Sequence, residues 1–277
     1  MTIVPILLYH CVSDDPAGWI APYAVSPRTF ARHVELMAAS GRTPMTVTTL
    51  IDTLRDGREL PARPLLVTFD DGFADFADAA TVLAAHQIPC TLYVTTGALR
   101  GPQQSSRLCL PPARMLAWSQ LPELAEHDVE IGAHTHTHPQ LDTLRERVAA
   151  AEIRECKDLL EDALGREVRS FAYPHGFRSS RVKRQAHVAG YTSATAVGNA
   201  FSSTADDPFA LARLTIRSTT TIDELRAWLA GRDAAVAPFP EAWRTKAWRT
   251  YRRLRGHRST RGVITMPVRP SRPPGGI

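Results

Sequence analysis

Apolar runs of strand length alternate with segments of helical period along most of the chain. This alternation predicts an α/β domain with a largely parallel sheet, because each parallel strand needs a crossover segment. About seven strand–helix alternations suit a (β/α) barrel, complete or incomplete, better than an open sheet. The expected strands are Val4–Tyr9, Leu65–Phe69, Thr91–Thr95, Val129–Ala133, Ser170–Tyr173 and Thr192–Val197.

Helices are expected between these strands, and the first has recognisable boundaries. Ser26 is a typical N-cap, Pro27 fits the first helical turn, and Gly41 is a typical stop. Further helices are expected at Thr49–Arg55, Phe73–His86, Arg114–Glu126, Leu144–Leu164, Ser180–Ala189 and Thr221–Leu229.

Charge divides the chain into two parts. Residues 241–277 carry ten Arg or Lys against one acid, so this segment has a charge of +9 and the rest has −4. We therefore predict a catalytic domain over residues 1–235 and a basic, partly disordered tail over residues 236–277. The basic pI comes from the tail alone, so no nucleic-acid partner is expected.

The tail also interleaves aromatic residues with cations. Trp243, Trp248 and Tyr251 lie among the arginines, which suits an amphipathic helix on an anionic membrane face. A plain solvated helix is the alternative. The first residues do not read as a signal peptide, and no apolar run reaches about 20 residues. We therefore expect a cytoplasmic protein, with the inner membrane face as a contact for the tail.

Two adjacent carboxylates follow an expected strand. Asp70 and Asp71 come after the apolar run Leu65–Phe69 and precede Gly72, which permits a tight turn. In parallel α/β domains the carboxyl ends of strands are where active sites assemble. A strand-end turn with a helix cap is the alternative interpretation.

Histidines cluster after a second expected strand. His134 and His138 follow Val129–Ala133, and two imidazoles with one carboxylate leave positions open for water and substrate, as catalytic zinc sites do. The same ligand set also suits iron(II). A surface histidine cluster is the alternative, and His136 is expected to contact a ligand from outside or to be solvated.

A third strand ends in a proline–glycine turn. Tyr173, Pro174, His175 and Gly176 follow the apolar residues Phe171 and Ala172. Backbone N–H groups in such a turn can point at a developing oxyanion. A purely structural turn explains the residues equally well.

Taken together, TFDDG, HTHTHP and FAYPHG, in this order, resemble the NodB-homology polysaccharide deacetylases, carbohydrate esterase family four. The resemblance implies a distorted, incomplete (β/α) barrel and an N-acetylated saccharide substrate. It also implies Asp70 as catalytic base and Asp71, His134 and His138 as ligands of a divalent metal. Zinc is favoured, and nickel, cobalt and iron stay open.

The beginning of the chain adds a signal for one branch. A strand ending in LYHCV resembles the deacetylases of poly-β-1,6-N-acetylglucosamine, in which a histidine at this position is the general acid. The resemblance implies that role for His10. A core or capping histidine is the alternative.

Two departures from the family pattern concern the base and the general acid. Ala172 stands where many members have an arginine, so either another cation, with Arg213 as the candidate, orients Asp70, or Asp70 lacks that support. The usual late leucine–histidine motif is missing too, which strengthens the case for His10.

Three functions therefore stay open. The first is a metal-dependent hydrolase that removes N-acetyl groups from N-acetylglucosamine-containing saccharides or glycoconjugates. The second is a related hydrolase of a non-sugar amide, an imide or an O-acetyl ester. The third is a non-catalytic carbohydrate-binding relative.

Overall fold

The structure is a computed structural model, and it describes residues 1–238 of the chain. The basic tail is predicted over residues 236–277, and all of it beyond residue 238 lies outside the described residues. The predicted boundary between residues 235 and 236 stays a prediction. Among residues 1–238, no helix is long and apolar enough to cross a membrane.

The described chain forms twelve strands and seven α-helices, with short 3-10 turns between them. The strands are β1 (Ile3–Val4), β2 (Ile6–Tyr9), β3 (Cys11–Val12), β4 (Ala24–Val25), β5 (Thr43–Pro44), β6 (Pro64–Phe69), β7 (Cys90–Val94), β8 (Val129–Ala133), β9 (Ser170–Ala172), β10 (Ser193–Thr195), β11 (Ser202–Ser203) and β12 (Leu214–Thr215). The helices are α1 (Pro27–Ala39), α2 (Val47–Arg55), α3 (Phe76–Ala85), α4 (Leu121–Glu126), α5 (Glu146–Leu164), α6 (Ser180–Val188) and α7 (Ile222–Leu229).

The main sheet is parallel and curls into a distorted barrel. Its strand order is β10-β9-β8-β7-β6-β2-β12, and β5 also pairs with β6. Leu211 forms a parallel bridge with Thr195 of β10, while the following β12 pairs with β2. Residues 211–215 therefore connect β10, at one edge of the sheet, to β2 near the other edge, which closes the barrel. The predicted fold class is confirmed.

Alternating side chains along the strands form an outer and an inner core. Leu7 and Val67 face the helices, whereas Ile6 and Leu66 belong to a second cluster with Tyr93. Successive residues of a strand point to opposite faces. Leu66, Thr68 and Asp70 therefore share the inner face. This line of side chains leads from the second apolar cluster to the carboxyl rim.

Local sequence signals explain several boundaries. The hydroxyl oxygen of Ser26 accepts a hydrogen bond from the Thr29 amide at 3.0 Å, as expected of an N-cap. The predicted strand Val4–Tyr9 is broken at Pro5, which has no N–H for a ladder. Its first part, β1, pairs with β11 in an antiparallel manner, and β2 enters the barrel.

The predicted helix Arg114–Glu126 is wrong in its first part. Arg114 to Ala117 are not helical, and Met115 and Ala117 form bridges with Phe73 and Arg100. A 3-10 turn at Trp118–Gln120 then leads into α4. Pairing with these distant segments outweighs local helix propensity, which is a weak prior.

Candidate metal centre and active site

The two carboxylates lie at the carboxyl end of β6 and point into one site. Asp71 has φ 78° and Gly72 has φ 90°, so the backbone turns sharply in the left-handed region directly after the strand. Both aspartate side chains are buried at the rim, with 4% and 3% exposure for Asp70 and Asp71. Buried carboxylates need charged partners or a cation, and the two residues meet this need differently.

Asp71 faces the two imidazoles that follow β8. Its Oδ1 lies 3.2 Å from Nε2 of His138 and 3.5 Å from Nε2 of His134. The two Nε2 atoms are 3.2 Å apart. The structure therefore brings together the three predicted metal ligands around one point.

The tautomer of His134 leaves Nε2 free to bind a metal. Its Nδ1 lies 2.8 Å from the carbonyl oxygen of Ala172, and a carbonyl only accepts, so Nδ1 carries the proton. The lone pair of Nε2 then points toward Asp71 and His138. A metal-binding histidine usually has its second ring nitrogen fixed in this way.

The spacing of the three donors fits a divalent ion. Donors about 2.0–2.1 Å from a tetrahedral ion lie about 3.3 Å from one another, and the three observed separations are 3.2, 3.2 and 3.5 Å. Oδ1 of Asp71 is buried and has no hydrogen-bond donor among residues 1–238. One carboxylate and two imidazoles are ligands that zinc accepts. The buried set is thus consistent with a divalent-metal site.

Protonation also favours cation binding. Burial raises the pKa of Asp71, but the imidazoles of His138 and His134 outweigh it and hold the pKa below its usual range. Burial lowers the pKa of His134 to about 4, against the opposing effect of Asp70. Near neutral pH, Asp71 is therefore charged and His134 is neutral, which are the forms that bind metals.

Asp70 is held by Arg213. The guanidinium donates to both carboxylate oxygens at 2.7 and 2.8 Å, and it also donates to the carbonyl of Ala196 at 3.1 Å. Burial raises the pKa of Asp70, but the charge of Arg213 outweighs it, so the pKa is lowered. Oδ2 of Asp70 lies 3.8 Å from Nε2 of His134. An ionised carboxylate thus borders the metal ligands without joining them.

Arg213 reaches Asp70 because it precedes the strand that joins the sheet edges. Its side chain is fully buried, and its guanidinium also lies over the ring of Tyr93, 5.5 Å from the ring centre. Of the two alternatives left by the missing motif arginine, the structure shows the one with a replacement cation. Ala172, at the motif position, supplies only the carbonyl that fixes His134.

His10 follows β2 and lies beside the same site. Its ring is half-buried and packs on Tyr23 with 5.3 Å between ring centres. Burial lowers the pKa of His10, and the charges of Asp71 and Asp70 partly oppose this. Both carboxylates therefore favour the protonated form of His10.

Residues 57–194 match the family model for polysaccharide deacetylases. The chain belongs to the polysaccharide deacetylase family. One relative is YxkH of Bacillus subtilis (strain 168), which is provisionally named a polysaccharide deacetylase. It is 23% identical over 189 residues, 68% of this chain and 62% of its own length. The chain thus spans less than two thirds of that relative.

Solved structures share the fold of this deacetylase-family chain. Streptococcus pyogenes deacetylase PplD, in complex with acetate, has a TM-score of 0.71 at 23% identity, covering 81% of this chain and 96% of that one. IcaB from Ammonifex degensii has a TM-score of 0.68 at 24% identity, covering 83% and 97%. The de-N-acetylase from Aggregatibacter actinomycetemcomitans has 0.71 at 19%, covering 81% and 98%.

In this family member the turn after β9 exposes a third imidazole to the site. His175 has φ 58° and is exposed, and its ring packs on His138 with 4.8 Å between centres. Pro174 and Tyr173 are buried, and the Tyr173 hydroxyl donates to the carbonyl of Phe209 at 3.0 Å. The Tyr173 side chain therefore packs in the core, and the oxyanion prediction concerns the backbone of this turn.

His136 points away from the three ligands. Its Nδ1 lies 3.0 Å from Oγ1 of Thr96, and its Nε2 lies 3.7 Å from Oε1 of Glu155. The sequence analysis did not single out the neighbouring Glu152, which binds Thr137 between the histidines. Its carboxylate is half-buried only because the chain folds, so no local sequence pattern marks it.

Proposed function

We propose that this chain is a metal-dependent hydrolase that removes N-acetyl groups from N-acetylglucosamine-containing saccharides. The observation that carries the proposal is one buried site in which Asp71, His134 and His138 converge beside a separate, ionised Asp70. Zinc is the proposed ion. When bound, it supplies Lewis-acid chemistry, polarising a carbonyl and making water more acidic.

Asp70 is the proposed general base. Arg213 occupies both of its oxygens from one side, which fixes the plane of the carboxylate and keeps it ionised. Each carboxylate oxygen has a second lone pair for the proton of an attacking water. A positioned base of this kind contributes about 10²–10⁴-fold to the rate.

His10 is the proposed general acid. It lies at the end of β2, next to the strand that carries Asp70, and its ring is held against Tyr23. Once the amide carbon has been attacked, the leaving nitrogen needs a proton to depart as an amine. His10 delivers that proton from its protonated form, which the charges of Asp71 and Asp70 favour and burial opposes. The backbone of the turn at His175 is the proposed partner of the developing oxyanion.

The saccharide is proposed from the family and the resemblance at the beginning of the chain. Membership of the family implies an acetylated saccharide. The half-buried aromatic rings of Tyr23 and Trp19 lie on the same rim as His10, and aromatic faces suit the apolar faces of sugars.

Acetate release tests the proposal. The full chain is incubated with N-acetylglucosamine oligomers, with an O-acetylated sugar and with a simple acetanilide, each with and without chelator. We expect acetate and free amine from the oligomers, loss of both with chelator, and recovery on adding zinc. If the chain prefers the ester or the non-sugar amide, that class is the substrate instead of the saccharide. If no acetate is released from any of them, the proposal that the chain is a hydrolase is contradicted.

The tail and the location of the protein are a separate part of the proposal. Ten cations and three aromatic residues within 241–277 support contact with an anionic membrane face. Flotation with anionic and neutral vesicles, using the chain with and without residues 241–277, tests this. Binding that is independent of the tail would contradict it. The cytoplasmic location stays a prediction.

A further inference from the structure

The loop that carries both imidazole ligands adopts an unfavourable backbone conformation. Within residues 134–138, Thr135 has φ 69° and His138 has φ 62°. Side chains with a Cβ avoid this left-handed region, and a β-branched threonine is a clear outlier there. Such a conformation persists only where surrounding contacts fix it.

Contacts within the loop and from neighbouring backbone fix part of it. The Thr135 hydroxyl donates to the carbonyl of His134 at 2.5 Å and accepts from the amide of His138 at 3.0 Å. Backbone amides of other rim segments bind the carbonyl of His136 at 2.8 Å and that of Thr137 at 2.8 Å. These contacts leave the amide and the hydroxyl of Thr137 to be bound from elsewhere.

Glu152 of α5 binds both of these groups. Its Oε2 accepts from the Thr137 amide at 2.8 Å, and its Oε1 accepts from the Thr137 hydroxyl at 2.6 Å. Thr137 is buried at 8% exposure and directly precedes His138. One carboxylate on a 19-residue helix thereby fixes the residue next to a metal ligand by two hydrogen bonds.

We infer that Glu152 is a positioning residue of the metal site. By holding Thr137 it keeps His138 in the left-handed turn that aims its Nε2 at Asp71 and His134. The inference rests on the proposed metal dependence, but not on the identity of the saccharide. Residues that position metal ligands commonly contribute about 10–100-fold to metal affinity.

Glu155 provides a matched control on the same helix. It lies one turn further along α5 and approaches the same loop, but its side chain is 54% exposed and lies 3.7 Å from His136. His136 does not face the metal ligands. Removing Glu155 therefore takes away an equal charge from the same helix without releasing Thr137.

The test measures zinc and cobalt affinity of the full chain by competition with a chromophoric chelator. We expect Glu152→Ala to bind about 10–100-fold more weakly than the unsubstituted chain, and Glu155→Ala to bind equally well. Glu152→Gln should regain most of the affinity, because an amide can accept from the Thr137 N–H and donate to its hydroxyl. The visible spectrum of the cobalt form should change in Glu152→Ala and stay the same in Glu155→Ala.

Unchanged affinity and spectrum in Glu152→Ala would overturn the inference. So would an equal loss in Glu152→Gln, because the effect would then come from charge. If Glu152→Ala does not fold by circular dichroism, Thr137→Val, which removes one of the two hydrogen bonds, should still weaken binding. A chain that binds zinc tightly but releases no acetate would contradict the proposed function and leave this inference intact.

Discussion

Each end of the barrel holds a carboxylate, but the half-buried Glu130 at the amino end and the buried Asp71 at the carboxyl end are satisfied in different ways. At the amino end, Glu130 accepts from the amide and hydroxyl of Thr48 at 3.0 and 2.6 Å, from Thr91 at 2.9 Å, and from the hydroxyl of Ser170. At the carboxyl end, Asp71 faces two imidazole nitrogens, and one of these carries a lone pair. Both oxygens of Glu130 therefore accept hydrogen bonds from protein donors. Asp71 is instead arranged to bind a cation.

The ion pairs at the two ends differ in how far their side chains are exposed to solvent. Arg169 and Asp52, at the amino end, have side chains that are 22% and 21% exposed, whereas Arg213 and Asp70 are 0% and 4% exposed. A screened pair contributes little, and a fully buried pair is costly to break. Substitutions at the two ends should therefore separate stability from chemistry.

The largest effect is expected from Asp70→Asn. An amide oxygen can accept only one of the two hydrogen bonds from Arg213. The amide also cannot take a proton from water, so turnover should fall by about 10²–10⁴-fold. Zinc affinity should change little, because Asp70 is not among the ligands. Acetate release and chelator competition measure the two quantities. A variant within a few-fold of full activity would contradict the assignment of the base.

Arg213→Met should cost stability as well as turnover. It leaves Asp70 buried without its counter-charge, which typically costs about 3–5 kcal/mol. The pKa of Asp70 should rise, so the acid limb of the activity profile should move to higher pH. Urea unfolding of the metal-free chain and a pH–rate profile check this. Arg169→Met is the control, with a smaller expected cost than Arg213→Met because its pair is about a fifth exposed, and with an unchanged profile.

A pH-dependent loss of stability is expected from His134. Its pKa in the folded chain is about 4 against 6.5 for the free group, so between these values the unfolded chain binds more protons. Stability should therefore fall as pH falls from 6.5 to 4, by about 3 kcal/mol from this residue. Urea unfolding of the metal-free chain against His134→Asn, which keeps a donor for Ala172, isolates the effect. Equal slopes for both chains would contradict it.

A loss of stability alone is expected from Glu130→Gln at the amino end. One acceptor oxygen becomes an amide group that faces hydroxyl donors, which should cost about 1–3 kcal/mol of stability. Zinc affinity and turnover should stay unchanged, since the carboxyl rim is at the other end of the strands. A loss of metal binding in this variant would mean that the two ends are coupled, and the comparison would fail.

The sequence predicts those features of the fold and the site that depend on residues close together along the chain. The fold followed from apolar runs such as Leu65–Phe69, and the ligand residues stand directly after strands, so both were visible. The pairing of Arg213 with Asp70 spans 143 residues, and β12 is too short to show periodicity, so Arg213 was only one of two alternatives. The left-handed turns at Thr135 and His138 arise from contacts that no local pattern encodes.

The central claim is that Asp71, His134 and His138 bind one divalent ion that the reaction requires. The most direct measurement is zinc per chain, by elemental analysis after dialysis against limiting zinc, together with acetate release from the same samples. We expect one zinc per chain and activity in proportion to it, and neither in Asp71→Asn. Zinc bound equally by Asp71→Asn, or acetate release that persists after complete removal of metal, would contradict the claim.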